Sequence, residues 1–180
     1  MTPLARLRRL WTETKGLAAV EFAILMPVMV TAMLGTVEIS NVVKSYSKAV
    51  SASQTVADLA SQSNTLTTAQ LDAIAVAAQR VLDPLSSTKT NLGIDVVSVG
   101  FDAQGNPSQL WRYQWGATSA PLSLNAAKGL GVAGDSVVMV RLGYICVPLL
   151  HEIVPSITFT ETSVSRPRLV RKIALNGVTG

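Results

Sequence analysis

The sequence predicts an α+β fold: an N-terminal transmembrane helix extended into a long stalk helix, a second short helix, and an antiparallel β-sheet domain. Three observations carry this. Leu17–Val37 is a run of 21 residues with one charge, Glu21. Two later stretches, Ile39–Ser61 and Thr67–Leu82, repeat apolar residues at helical spacing. From Leu92 onward the period changes to two and β-branched residues dominate.

The apolar run comes first. At about 1.5 Å of rise per residue it spans roughly 31 Å, enough for a hydrocarbon core of about 30 Å. Arg6, Arg8, Arg9 and Lys15, with the single acid Glu13, precede it, and the next bases are Lys44 and Lys48. The positive-inside rule then places residues 1–16 in the cytoplasm and the chain beyond residue 40 outside it. This divides the chain into a leader (1–16), a transmembrane helix (17–38) and an external α+β domain (39–180) that includes a stalk at 39–61. Pro27 removes a backbone donor and is expected to kink the span, which packed helices accommodate. Ala18, Ala19, Ala23, Ala32 and Gly35 would let neighbouring backbones approach closely.

Glu21 is costly there. On insertion scales a central Asp, Lys or Arg costs about 2.5–3.5 kcal/mol, and intramembrane charges are functional candidates. One account has Glu21, roughly 7 Å in from Gly16, reaching headgroup water. The other has the chain cut after Gly16. Leu17 would then carry an ammonium four residues before Glu21, on the same helix face, and a carboxylate in the first turn would suit the helix dipole.

Gly16-Leu-Ala-Ala-Val-Glu21-Phe22 resembles the prepilin-peptidase site of Flp-type pilins and pseudopilins. The longer run Gly16–Glu38, with Pro27 and the Gly35-Thr-Val-Glu38 exit, is similar to TadE-like proteins, minor pseudopilins of the bacterial Tad (Flp) pilus machinery. The resemblance implies that Gly16 is the last leader residue, Leu17 the mature N-terminus, and Glu21 and Phe22 the recognition and assembly pair. It also implies a pilin-like domain in the periplasm, anchored in the inner membrane or incorporated in a pilus. The partners it implies are a prepilin peptidase, other Tad pseudopilins and pilin, and inner-membrane Tad assembly proteins. An ordinary signal peptide fits less well, because the core exceeds 7–15 residues, contains Glu21 and is followed by no good A-x-A site. An uncleaved anchor presenting a scaffold domain is the alternative.

Of the net charge of +4, the leader supplies +3, with four bases and one acid. Residues 17–180 hold 11 bases and 10 acids, a near-neutral balance that argues against nucleic-acid binding. Cys146 is alone, so no disulfide can close within the chain. A buried structural thiol is its expected role.

In the stalk, Ile39, Val43, Tyr46, Val50 and Ala57 form one stripe, which Val42, Ala49 and Ala60 widen, while Val56 and Leu59 break it. Thr67 with Gln70 is a capping box opening a helix whose face is Leu71, Ile74, Ala75, Ala78 and Leu82, ending at Asp83-Pro84. Strands are expected at Ile94–Phe101, around Trp111–Trp115, at Val137–Val147 and at Ile157–Val164, with a turn at Asp102–Pro107. Trp111, Tyr113 and Trp115 alternate onto one strand face. Packing in a sheet core explains that row better than base or sugar stacking. In the strand before Pro148, Val138, Val140, Leu142, Tyr144 and Cys146 face one way. The order that follows (Tyr144-x-x-x-Pro148-Leu, an apolar loop, a last strand, a basic terminus) also resembles TadE-like domains. Residues 62–135 carry no such resemblance.

Chemistry is sparse. Gly129-Leu-Gly131-Val-Ala-Gly134 has the dinucleotide-site spacing, but a strand follows it where a helix should open, so it reads as a loop. His151 is the single histidine, beside Glu152 and with no second imidazole, so neither a metal site nor a cofactor is expected. Cys146 with His151 would be the one Cys–His pair available, and a core strand disfavours the thiolate. No catalytic residues are assigned; a tethered hydrolase is the third functional class. Arg166, Arg168, Arg171 and Lys172 form a basic tail, solvated or touching lipid headgroups or an acidic partner.

Overall fold

A computed structural model describes residues 16–116, 121–152 and 154–179; the leader bases lie outside the described residues. Helix α1 (Leu17–Ser61) passes through two units, which divide after Ser40.

In the first unit the side chains of α1 are almost all exposed, including Phe22, Ile24, Leu25, Val28, Met29 and Met33. Pro27 sits inside the helix, which continues past it. Thr31 and Thr36 donate their hydroxyls to the carbonyls of Pro27 (2.7 Å) and Ala32 (2.9 Å), so neither adds an unsatisfied polar group to an apolar segment.

The second unit, from Asn41, is the α+β domain. Here α1 buries Ser45, Ala49, Ala52, Ser53, Val56, Ala57, Ala60 and Ser61. This corrects the stripe read from hydrophobicity. Ile39, Val43 and Tyr46 are 67 %, 60 % and 46 % exposed, while Ala57 and the widening residues Ala49 and Ala60 are buried. The packing face is chosen by size. Alanines and serines let the helix approach the sheet closely, and Ser53 Oγ meets Ser163 Oγ at 2.7 Å. Tyr46 instead makes an edge contact with Phe159, the ring centroids 5.5 Å apart.

Two-residue strand β1 (Thr65–Leu66) precedes helix α2 (Thr68–Leu82). The capping box on Thr67 is present as expected, and Leu71, Ala75, Ala78 and Leu82 are buried. Lys48 Nζ donates to the carbonyls of Val81 (3.1 Å) and Asp83 (2.6 Å) at the far end of α2. The outer part of α1 and α2 therefore run antiparallel, and the lysine satisfies C-terminal carbonyls that lack helical partners.

Strands β2 (Leu92–Phe101), β3 (Pro107–Trp115), β4 (Ser136–Cys146) and β5 (Ile157–Ser165) form an antiparallel sheet in the order β3-β2-β4-β5. One face carries Ile94, Val96, Val138, Val140, Leu142 and Tyr144 into a core with α1 and α2. Trp111 and Trp115 join it. Trp111 Nε1 donates to the Ile173 carbonyl at 2.7 Å and Tyr113 Oη to Asp72 Oδ1 at 2.5 Å, so the aromatic row is structural.

The opposite face is also covered, by a layer with no periodic signal in the sequence. Val97, Val99, Phe101, Val137 and Met139 form a second core with Leu122 and Ala127, around a 3₁₀ turn at Leu124–Ala127. The loop Gly129–Gly134 follows that turn and leads into β4, with no helix after it. Gly131 is required by proximity, since a Cβ there would lie 2.2 Å from the Phe101 ring. Strand β6 (Ala174–Leu175) pairs in parallel with β1, and two residues are too few to carry a strand pattern in the sequence.

Asp95 holds the second layer in place. It is fully buried in β2, paired with Arg112, whose Nε donates to it at 2.8 Å. It also accepts the Leu122 amide at 2.8 Å. The hydrogen bond to Asp95 raises the Arg112 pKa.

Removing one partner of a buried pair leaves an uncompensated charge. Asp95→Ala should therefore lower the unfolding free energy by about 3 kcal/mol or more, read by urea denaturation with tryptophan fluorescence. Ala52→Leu, overpacking the α1 face, should cost about 1–3 kcal/mol in the same assay.

Candidate functional site

The candidate site is the start of α1. Helix geometry begins at Leu17, immediately after Gly16, and the Gly16 carbonyl accepts the Val20 amide at 3.1 Å. A Cβ built on Gly16 would meet nothing within 4 Å, and its φ lies outside the left-handed region. Among the described residues, then, neither space nor backbone conformation asks for glycine at this position.

Leu17 and Phe22 are 58 % and 63 % exposed, and Glu21 is exposed too. Leu17 and Glu21 stand four residues apart, one above the other on the helix surface. The first turn holds no acid. Glu21, fifth in the helix, lies just beyond it, so the expected dipole contribution is smaller than a first-turn carboxylate would gain. Glu38, at the other end of the apolar run, is buried.

Among the described residues no other constellation competes with this one. His151 Nε2 lies 3.2 Å from Glu152 Oε1, with both side chains exposed. Cys146 is a free thiol buried in the α1-facing core. No group of three metal-ligating side chains occurs among the described residues. The polar groups missed from sequence, Asp95–Arg112 and Asp72–Tyr113, are structural. Their signal was available: Asp95 interrupts an apolar strand, and Arg112 sits between aromatics on the neighbouring one.

A helix with exposed apolar side chains all round is unstable in water. Among the described residues α1 alone is long and apolar enough to cross a membrane, which fits a single-pass membrane protein. The family model described as TadE-like protein matches residues 16–58. That stretch starts at Gly16 and takes in α1 but for its last three residues. Over this stretch the chain is similar to TadE-like proteins, which is consistent with a component of the Tad pilus system. No curated protein and no solved structure matches the chain.

Two phenols in the domain give it a pH signature. Burial, then the hydrogen bond to Asp72 and that residue's charge, push the Tyr113 pKa well above its ordinary 10.0. Burial, then the nearby Cys146, raise that of Tyr144. Above about pH 10 the unfolded chain loses these protons while the folded one keeps them. Stability should thus fall as pH rises past about 10. The midpoint of urea unfolding followed across that range should decline less steeply in Tyr113→Phe.

Proposed function

We propose that this protein is a minor pseudopilin-like component of Tad (Flp) pilus assembly. A prepilin peptidase cleaves it between Gly16 and Leu17, and it assembles through its hydrophobic N-terminal helix. One coincidence carries the reading: the family match, the helix and the apolar run all begin at the Gly16–Leu17 junction. The freedom around Gly16 supports a demand for glycine that comes from outside the fold, as a peptidase subsite would impose. The role is structural, without a cofactor, metal or catalytic residues.

Orientation follows from charge. The basic leader stays in the cytoplasm and the α+β domain lies in the periplasm, with the span in the inner membrane until assembly. After cleavage, the Leu17 ammonium faces Glu21 on its own helix or a neighbouring one. That contact offsets the cost of placing a carboxylate in lipid and sets the register between subunits. Phe22, beside it and exposed, serves recognition and packing. The partners are the peptidase, the other Tad pseudopilins and pilin, and the inner-membrane assembly proteins.

Intact mass of the membrane-extracted protein, co-expressed with an active prepilin peptidase, should correspond to a chain beginning at Leu17. Gly16→Leu should leave it full length, while Glu21→Gln should be cleaved but fail to enter pili. A wild-type mass beginning at Met1 would overturn processing and leave an uncleaved anchor. Normal incorporation of Glu21→Gln would overturn the charge pair alone.

A further inference from the structure

Residues 41–180 carry 11 bases and 8 acids. At the end of the sheet where β2 and β5 finish and β4 begins, five of those bases (Lys128, Arg166, Arg168, Arg171 and Lys172) accompany three acids, Asp58, Asp102 and Asp135. The other six bases and five acids nearly balance, so most of the positive excess of the domain sits at this one end.

The geometry there is built. Arg168 forms an ion pair with Asp58, and its amide donates to the Ser61 carbonyl at 3.0 Å. These contacts fix the basic tail against α1. Arg166 donates to the Leu130 carbonyl at 2.9 Å and Ser136 Oγ to the Arg171 carbonyl at 2.5 Å. They lay the tail alongside the loop Gly129–Gly134. Between them lies a cavity of about 140 Å³, lined by Asp135, Ser136, Arg166 and Arg171 among others. Among the described residues, the Arg171 and Lys172 side chains have no acidic partner within salt-bridge distance.

Aliphatic side chains stand among these cations. Val132 and Leu169 are 68 % and 67 % exposed, one on the loop and one on the tail, with Leu130 beside them. Cations alone suit any polyanion. Cations interleaved with exposed aliphatic tips suit a surface that is anionic outside and apolar just beneath.

We propose that this end of the domain docks on an anionic lipid surface. Arg166, Arg171 and Lys172 meet headgroup phosphates, and Val132 and Leu169 enter the boundary with the acyl chains. Attachment requires negative lipid and weakens with salt, because each contact is a screened charge at an interface.

The test uses the full chain in phosphatidylcholine nanodiscs, with an environment-sensitive dye on Ala133→Cys (native Cys146 is buried). Vesicles of phosphatidylcholine with or without phosphatidylglycerol are added in one arm. In a second arm phosphatidylglycerol is included in the nanodisc itself. A blue shift in either arm that needs phosphatidylglycerol and reverses with salt is expected. Arg171→Gln with Lys172→Gln should weaken it about thirty-fold, and Val132→Ser with Leu169→Ser about ten-fold at unchanged charge. All four side chains lie wholly or partly at the surface, and unfolding midpoints confirm that the variants fold. No shift in either arm overturns the proposal. So does a shift that survives the serine pair and is competed away by inorganic polyphosphate, which would make the patch a general polyanion site.

Discussion

Everything in this chain is constrained by a length of helix that water cannot accommodate. Between Leu17 and Val37 the large apolar side chains stand exposed on every side of α1. If each forgoes about 1 kcal/mol of the 1.5–3 kcal/mol that full burial provides, the total is on the order of 10 kcal/mol. That is as large as the net stability of an ordinary domain, about 5–15 kcal/mol. Among the described residues no internal packing offsets it, which fits a surrounding of hydrocarbon or of other apolar helices. In either surrounding, the carboxylate of Glu21 is the costly group of the segment.

The α+β domain solves a different problem. Its central strands are buried on both faces, β2 along its entire length. One face is covered by α1 and α2, the other by the segment around the 3₁₀ turn. A loop makes a poor second layer by itself, because its backbone groups need partners. Asp95 answers this by accepting the Leu122 amide while Arg112 balances its charge. At the opposite edge of the sheet Ser53 and Ser163 join α1 to β5 by one hydroxyl contact, a detail possible only because small residues bring helix and strand together.

Legibility in the sequence followed the strength of local signals. The capping box at Thr67, the β-branched runs and the alternation of Trp111, Tyr113 and Trp115 are encoded within a few residues, and each led to the right element. The packing face of α1 did not, because a stripe chosen by hydrophobicity favours Ile39, Val43 and Tyr46 over alanine and serine. The second layer was invisible because Leu122, Leu124 and Ala127 repeat at no period and acquire meaning only against Phe101 and Met139. At the candidate site the motif Gly16–Phe22 was legible by its place between basic leader and apolar run. What the structure adds is that the helix starts at Leu17 and that, among the described residues, nothing crowds Gly16.

The claim on which these points turn is that residues 17–37 occupy lipid while the domain faces water. Single cysteines at Met26 and at Gln54, each in a Cys146→Ser background, can be challenged in intact cells with a membrane-impermeant maleimide that crosses the outer membrane. Labelling at Gln54 with protection at Met26 until detergent is added is the predicted result. Equal labelling of both sites before detergent would contradict the account, because α1 would then stand in water along its whole length.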